Sequence, residues 1–234
     1  MFENIIKNVH NRHPLIHCIT NYVSINDCAN IVLACGGAPI MAEDINEVSQ
    51  ITSICQGLDI NIGMLNDNKL SSMLKAGATA NELGIPVILD PVGAGSSDYR
   101  IKAVQNLMSN VQFGVIRGNV SEIKAIAAKQ GIHNIAAGVY ETMQKNKSAM
   151  GVEAGIADKI TDDNIKEMAD FINKLSQKTG AVIAVTGGID MVADENRVYA
   201  IRNGHKMMSL VTGAGCQLSA LTSASVSYTH LTLP

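Results

Sequence analysis

Short apolar runs alternate with longer stretches of helical periodicity along most of the chain. The runs Leu15–Ile19, Ala38–Met41, Leu58–Ile62, Pro86–Leu89, Gly114–Ile116 and Ala181–Val185 read as mainly continuous rather than alternating. That is the pattern of strands covered on both faces. Helical periodicity predicts helices over Ser24–Ala34, Glu43–Gln56, Asp67–Leu83, Ile101–Ser109, Ser121–Lys129 and Asp162–Lys178. Ser121-Glu122 and Thr161-Asp162-Asp163 offer capping side chains where backbone N–H groups need acceptors. Repeated strand–helix–strand units imply a mainly parallel central sheet between two layers of helices, a three-layer α/β/α fold.

The final third changes character. Ala181–Val185, Met191–Ala193 and Val198–Ile201 are separated only by the turns "TGGID" and "DENR", which predicts antiparallel edge strands. A further short apolar run, Ser209–Val211, precedes "TGAGC" and the helical run "QLSALTSAS". Residues 132–158 are polar and interrupted by glycine, the pattern of a surface excursion with one short helix. No repeat, low-complexity segment or long linker divides the chain, so residues 1–225 are expected to form one domain.

Composition narrows the function. The 234 residues are 47% hydrophobic, enough for a sizeable core. A formal net charge of −3, with Lys and Arg scattered singly, gives no footprint for nucleic acid or an acidic membrane. No run of 18 apolar residues is present and "MFENIIKNVH" lacks the basic-then-apolar layout of a secretory signal, so the expected compartment is the cytoplasm. Five cysteines without a CxxC pair argue against a disulfide framework or a zinc cage. His10, His13 and His17 are spaced for a helix face, but Pro14 interrupts them, so no metal role is assigned.

Polar and glycine residues gather where the predicted strands end: Thr20-Asn21-Tyr22, "DPVGAGSSDYR" from Asp90, "RGNVSE" from Arg117, "TGG" from Thr186 and "TGAGC" from Thr212. In an open parallel sheet that edge is where ligands bind. The sharpest signal is Gly213-Ala214-Gly215-Cys216 opening a helix, whose outward amides and dipole suit a phosphate or oxyanion. Cys216 falls in the first helical turn, where a thiol pKa is expected to drop. Its predicted task is to deprotonate or orient an alcohol. Asp90 and Glu122 are candidate Mg²⁺ carboxylates acting through waters. Arg117, at the end of a buried run, calls for an anionic partner such as phosphate. Thr186 could pass close to a nucleotide. Met41 is raised as a ligand contact because it ends a strand on the same edge. Asp90 and Glu122 also fit plain roles, as a turn former and a capping acid.

The segments "HCITNYVSINDCAN", "APIMAEDINEV", "LDINIGMLND", "DPVGAGSSDYR", "RGNVSEIKAIA" and "VTGAGCQLSA" resemble the hydroxyethylthiazole kinase family in order and spacing, from residue 15 to about 223. The resemblance implies a ribokinase-like fold, ATP as co-substrate with Mg²⁺, a thiazole alcohol as acceptor and a homotrimer. It further implies that Met41 and Gly213 contact the alcohol, Arg117 and Thr186 contact ATP, Asp90 and Glu122 serve Mg²⁺, and Cys216 holds the catalytic position beside Gly213, Ala214 and Gly215. Family members continue with further helices, so the chain is expected to be C-terminally truncated, with 226–234 a non-native tail. Rival readings are a kinase for the pyrimidine alcohol of thiamine and a nucleotide-binding protein without turnover. A dinucleotide dehydrogenase is disfavoured because no GxGxxG follows the first strand.

Overall fold

The computed structural model describes residues 2–132 and 159–228. The polar excursion after Ile132 and most of the 226–234 tail lie outside the described residues. The chain divides into two compact units, one holding residues 2–90, 107–114 and 207–228, the other 91–106, 115–132 and 159–206.

In the first unit, α1 (Phe2–Arg12) leads into β1 (Leu15–Ile19), α2 (Ile25–Ala34), β2 (Ala38–Ile40), α3 (Val48–Ser53), β3 (Gly57–Asn61), α4 (Asp67–Glu82) and β4 (Val87–Asp90). The four strands are parallel in the order β2-β1-β3-β4, with Ile16 opposite both Pro39 and Gly57, and Asn61 opposite Asp90. Successive side chains of β1 point to opposite faces. His17 reaches Thr52 of α3, while the Cys18 thiol lies among the fields of Asp59 and of Cys28 on α2. Both faces are therefore covered, and β3 and β4 are wholly buried; β4 reads as an apolar run closed by Asp90, whereas β3 alternates, carrying buried Asp59 and Asn61 among its apolar residues.

The second unit contains β5 (Val115–Asn119), α6 (Val120–Lys129), α7 (Ile165–Thr179), β6 (Val182–Thr186), β7 (Asp190–Ala193) and β8 (Val198–Ile201). Strand β5 pairs in parallel with β6; β6–β7 and β7–β8 are antiparallel, as the short turns predict. Helix α5 (Asp98–Asn110) is the remaining connection.

Several expectations are corrected. The predicted helix over Glu43–Gln56 shrinks to α3, because the Asp44 carboxylate accepts from the Asn46 backbone at 2.8 Å and side-chain amide at 2.9 Å. Local side-chain bonding there competes with helix formation. The cap of α6 is Asn119, one residue before the helix, and Glu122 closes a capping box with it. The cap position of α7 is Asn164 rather than the preceding Thr161–Asp163. The apolar run at Ser209–Val211 is no strand: a 3-10 helix covers Lys206–Leu210 and its side chains are exposed.

The last helix, α8 (Ala214–Val226), packs against β3, β4 and α2 through a seam of small residues: Cys216, Ser219, Ala220, Ser223 and Ala224 are all buried. The approach is close enough that a Cβ on Gly57 of β3 would stand 3.1 Å from the Ser223 carbonyl oxygen.

His17 is wholly buried, its Nε2 2.8 Å from the Ala42 carbonyl and its Nδ1 2.9 Å from Thr52 Oγ1. A carbonyl only accepts, so Nε2 carries the proton of the neutral ring. Burial lowers the pKa from the ordinary 6.5, outweighing the raising effect of the Ala42 bond. A depressed folded pKa means that the unfolded chain binds the proton more readily. This contribution to stability is complete above pH 6.5 and is lost as pH falls toward the folded value. Thermal melts from pH 8 to 5 should show wild type losing Tm below pH 6.5, with His17→Gln less stable at pH 8 and flatter across the range. Parallel curves for the two proteins would refute the assignment.

Candidate active site

Three strands of the first unit end in polar side chains that bond to one another. Just past β1, the Asn21 side-chain amide donates to Asn61 Oδ1 at 3.1 Å and to Cys216 Sγ at 3.2 Å. Its Oδ1 accepts from the Ser24 backbone and hydroxyl, both at 3.1 Å, which locks the amide's orientation. Asn61, the last residue of β3, donates to Asp90 Oδ2 at 2.9 Å; Ser219 of α8 donates to the same oxygen at 2.9 Å. A continuous path of hydrogen bonds thus runs from the Cys216 sulfur through two amides to the Asp90 carboxylate. Asn21, Ser24, Asn61, Asp90, Cys216 and Ser219 are all buried. Buried polar groups persist only when bonded, so this network fixes the mutual placement of β1, β3, β4 and α8.

Gly213 is the N-cap of α8 with φ +73°, and no side chain caps the helix. The amides of Gly215 and Cys216 belong to the first turn, where no intrahelical acceptor exists. A Cβ on Gly213 would lie 2.6 Å from Ser24 Cβ, so only glycine fits both the backbone angle and the space.

The expectation of an acidified Cys216 thiol is overturned. Burial pushes its pKa up, the negative charge of Asp90 adds to the effect, and hydrogen bonds from Ser24, Asn61 and Asn21 offset it only in part. The helix terminus does not outweigh removal from water beside a carboxylate. At neutral pH Cys216 is a thiol. Cys18, Cys28 and Cys55 are likewise raised by burial, the last two to about 12, and all five cysteines are free.

Met41 directly follows β2 and is partly buried. In the second unit, Arg117 lies inside β5 rather than at its end and donates from Nη2 to Thr186 Oγ1 at 2.8 Å. Glu122 accepts from Gly93 N through Oε1 and from Asn119 N through Oε2, both at 2.8 Å. The capping role and a metal role are compatible, since each carboxylate oxygen has a second lone pair. Hard oxygen donors suit Mg²⁺, which keeps much of its water shell. Among the described residues, no three His, Cys, Asp or Glu side chains converge as a ready-made metal cage.

Sequence reasoning placed Cys216, Gly213 and Asp90 on the ligand edge but missed Asn61, Ser219 and Ser24. The available signal was the polar Asn61 at the end of "LDIN", as Asp90 closes the apolar run "VILD".

The fold is the ribokinase-like α/β fold: a Bacillus subtilis pyridoxal kinase superposes with a TM-score of 0.61 at 15% identity, covering 92% of this chain and 84% of its own. Within that class the family can be assigned. The chain belongs to the hydroxyethylthiazole kinase family, whose model matches residues 6–233. It is 52% identical over 227 residues to a hydroxyethylthiazole kinase of Clostridium acetobutylicum, covering 97% of this chain and 77% of that protein. A Methanobrevibacter smithii relative of the same name is 42% identical, with 97% and 75% covered. The hydroxyethylthiazole kinase structure from Pyrococcus horikoshii superposes with a TM-score of 0.80 at 33% identity, covering 96% of this chain and 75% of its own. Membership of a kinase family implies a nucleoside triphosphate donor and a small-molecule acceptor as ligands. Among the described residues, no helix is long and apolar enough to cross a membrane.

Proposed function

We propose that this chain transfers the terminal phosphoryl group of ATP to the hydroxyl of 4-methyl-5-(2-hydroxyethyl)thiazole, a step in thiamine biosynthesis or salvage. The observation that carries the reading is the Cys216–Asn21–Asn61–Asp90 path beside the uncapped first turn of α8. It is supported by family membership over nearly the whole chain.

Phosphoryl transfer passes through a loose transition state, so catalysis is mainly positioning and charge neutralisation. The amides of Gly213–Cys216 would receive the oxygens of the moving phosphoryl group. The Cys216 thiol, fixed by Asn21, would orient the alcohol rather than act as a preformed thiolate; the alcohol's own proton need leave only as the new O–P bond forms and the bond to the ADP oxygen breaks, passing to an oxygen of the transferred phosphoryl group or to water. Gly213 and Met41 would bound the alcohol's pocket. Arg117 and Thr186 would hold ATP, the guanidinium meeting phosphate charge. Asp90 and Glu122 would hold Mg²⁺ through waters, and the ion's chemistry is to neutralise phosphate oxygens. A homotrimer in the cytoplasm belongs to the same proposal.

The test is ATP consumption with the thiazole alcohol and with the pyrimidine alcohol of thiamine. Turnover should require the thiazole. Faster reaction with the pyrimidine, or ATP binding without consumption in either case, would overturn the assignment.

A further inference from the structure

We propose that Lys69 is a positioning residue for the acceptor side of the site, tying the segment after β1 to the segment after β2 so that Asn21 stays aimed at Cys216. The inference rests on the kinase reading above. Lys69 opens α4, where the helix dipole disfavours a cation, and it is only 4% exposed. Lysine is rarely buried unless paired. Here its ammonium donates to the Thr20 carbonyl at 2.5 Å, lies 2.8 Å from Glu43 Oε2 and sits 4.4 Å from the centre of the Tyr22 ring. The Tyr22 hydroxyl donates to the other oxygen of Glu43. Partial burial pushes the Glu43 carboxyl up, but donation from Lys69 and Tyr22 outweighs this and holds it below the ordinary range.

The three contacts reach two loops. Thr20 and Tyr22 flank Asn21, whose amide bonds the Cys216 sulfur; Glu43 follows Met41 by two residues. The carboxylate of this ion pair is 39% exposed, and a pair open to solvent on one side returns little net stability, so stability alone is a weak reason for a lysine in this position. Its geometry has a clearer consequence: it holds the carbonyl next to Asn21 while fixing the loop that carries Met41.

The experiment compares wild type, Lys69→Met, Lys69→Arg and Glu43→Gln for kcat, KM for each substrate, Tm and hydrogen exchange of the Ser24 amide. Displacements of about 1 Å near a reacting centre can reduce rates by roughly 100-fold. For Lys69→Met, a roughly tenfold fall in kcat is expected, with KM for ATP unchanged, Ser24 exchange faster and Lys69→Arg partly restoring kcat. Glu43→Gln keeps shape and should fold even if Lys69→Met does not; a smaller fall in kcat at wild-type KM for ATP is expected. Wild-type kcat and Ser24 exchange in a folded variant would overturn the inference, as would a loss confined to Tm. A wild-type protein silent toward the alcohol would overturn the kinase reading, and this inference with it. An active wild type with insensitive variants would overturn the inference alone.

Discussion

Gly213→Ala is expected to lower kcat by about 100-fold or more and to reduce Tm by several degrees. Two independent effects combine. The residue has φ +73°, and an L side chain in the left-handed region costs about 1–2 kcal/mol. The added methyl would also meet Ser24 Cβ at 2.6 Å, and that atom is bound directly to the α2 end of the backbone, not to the tip of a flexible chain. Overpacking of this kind costs roughly 1–3 kcal/mol. Relief requires moving Ser24 or the start of α8. Ser24 bonds Asn21 Oδ1, and Asn21 bonds Cys216, so either movement disturbs the sulfur's placement. Thermal melts and steady-state kinetics on the same preparation check the pair of effects. Wild-type Tm and kcat together would show that the turn is not constrained as described.

Cys216→Ala is expected to reduce kcat by about 100-fold, the low end of the range for losing a proton-handling group, with KM for ATP nearly unchanged. The low end follows from the raised thiol pKa: on the proposed mechanism, a group that stays protonated at neutral pH would orient the alcohol rather than remove its proton. The same fact predicts the pH profile. With the pKa above its ordinary value, no rise in kcat from thiolate formation should appear between pH 6 and 8. Alkylation of Cys216 should be slow there and quicken only at higher pH. Equal losses in ATP affinity and turnover would instead mark the side chain as structural.

The legibility of the sequence followed burial. Strands covered on both faces, such as β1 and β4, stood out as mainly apolar runs, and the antiparallel edge was announced by its short turns. Helix limits were less legible where polar side chains bond locally. Asp44 cut the third helix to six residues, and Asn119, not Ser121, capped the sixth. Helix α1 carries a strong amphipathic pattern, although no helix is expected before Ser24 from the runs and caps considered above. At the candidate site, glycines and the cysteine were visible because their residue types are unusual before a helix. Asn21–Asn61–Asp90–Ser219 was not, because its members come from four elements and only the folded chain brings them within hydrogen-bond reach. The direction of the Cys216 pKa also depended on that assembly: first-turn position argued one way, and burial beside Asp90 the other.

The row of serines and alanines along α8 bears on how specificity could change in relatives of this protein. With Ser223 pressed to within 3.1 Å of the point where Gly57 would carry a methyl, the helix has no slack in which a bulkier residue could be absorbed. A substitution there would shift the first-turn amides of the same helix. On the proposed function, adaptation to a new alcohol should therefore accumulate outside this helix rather than along its packed seam.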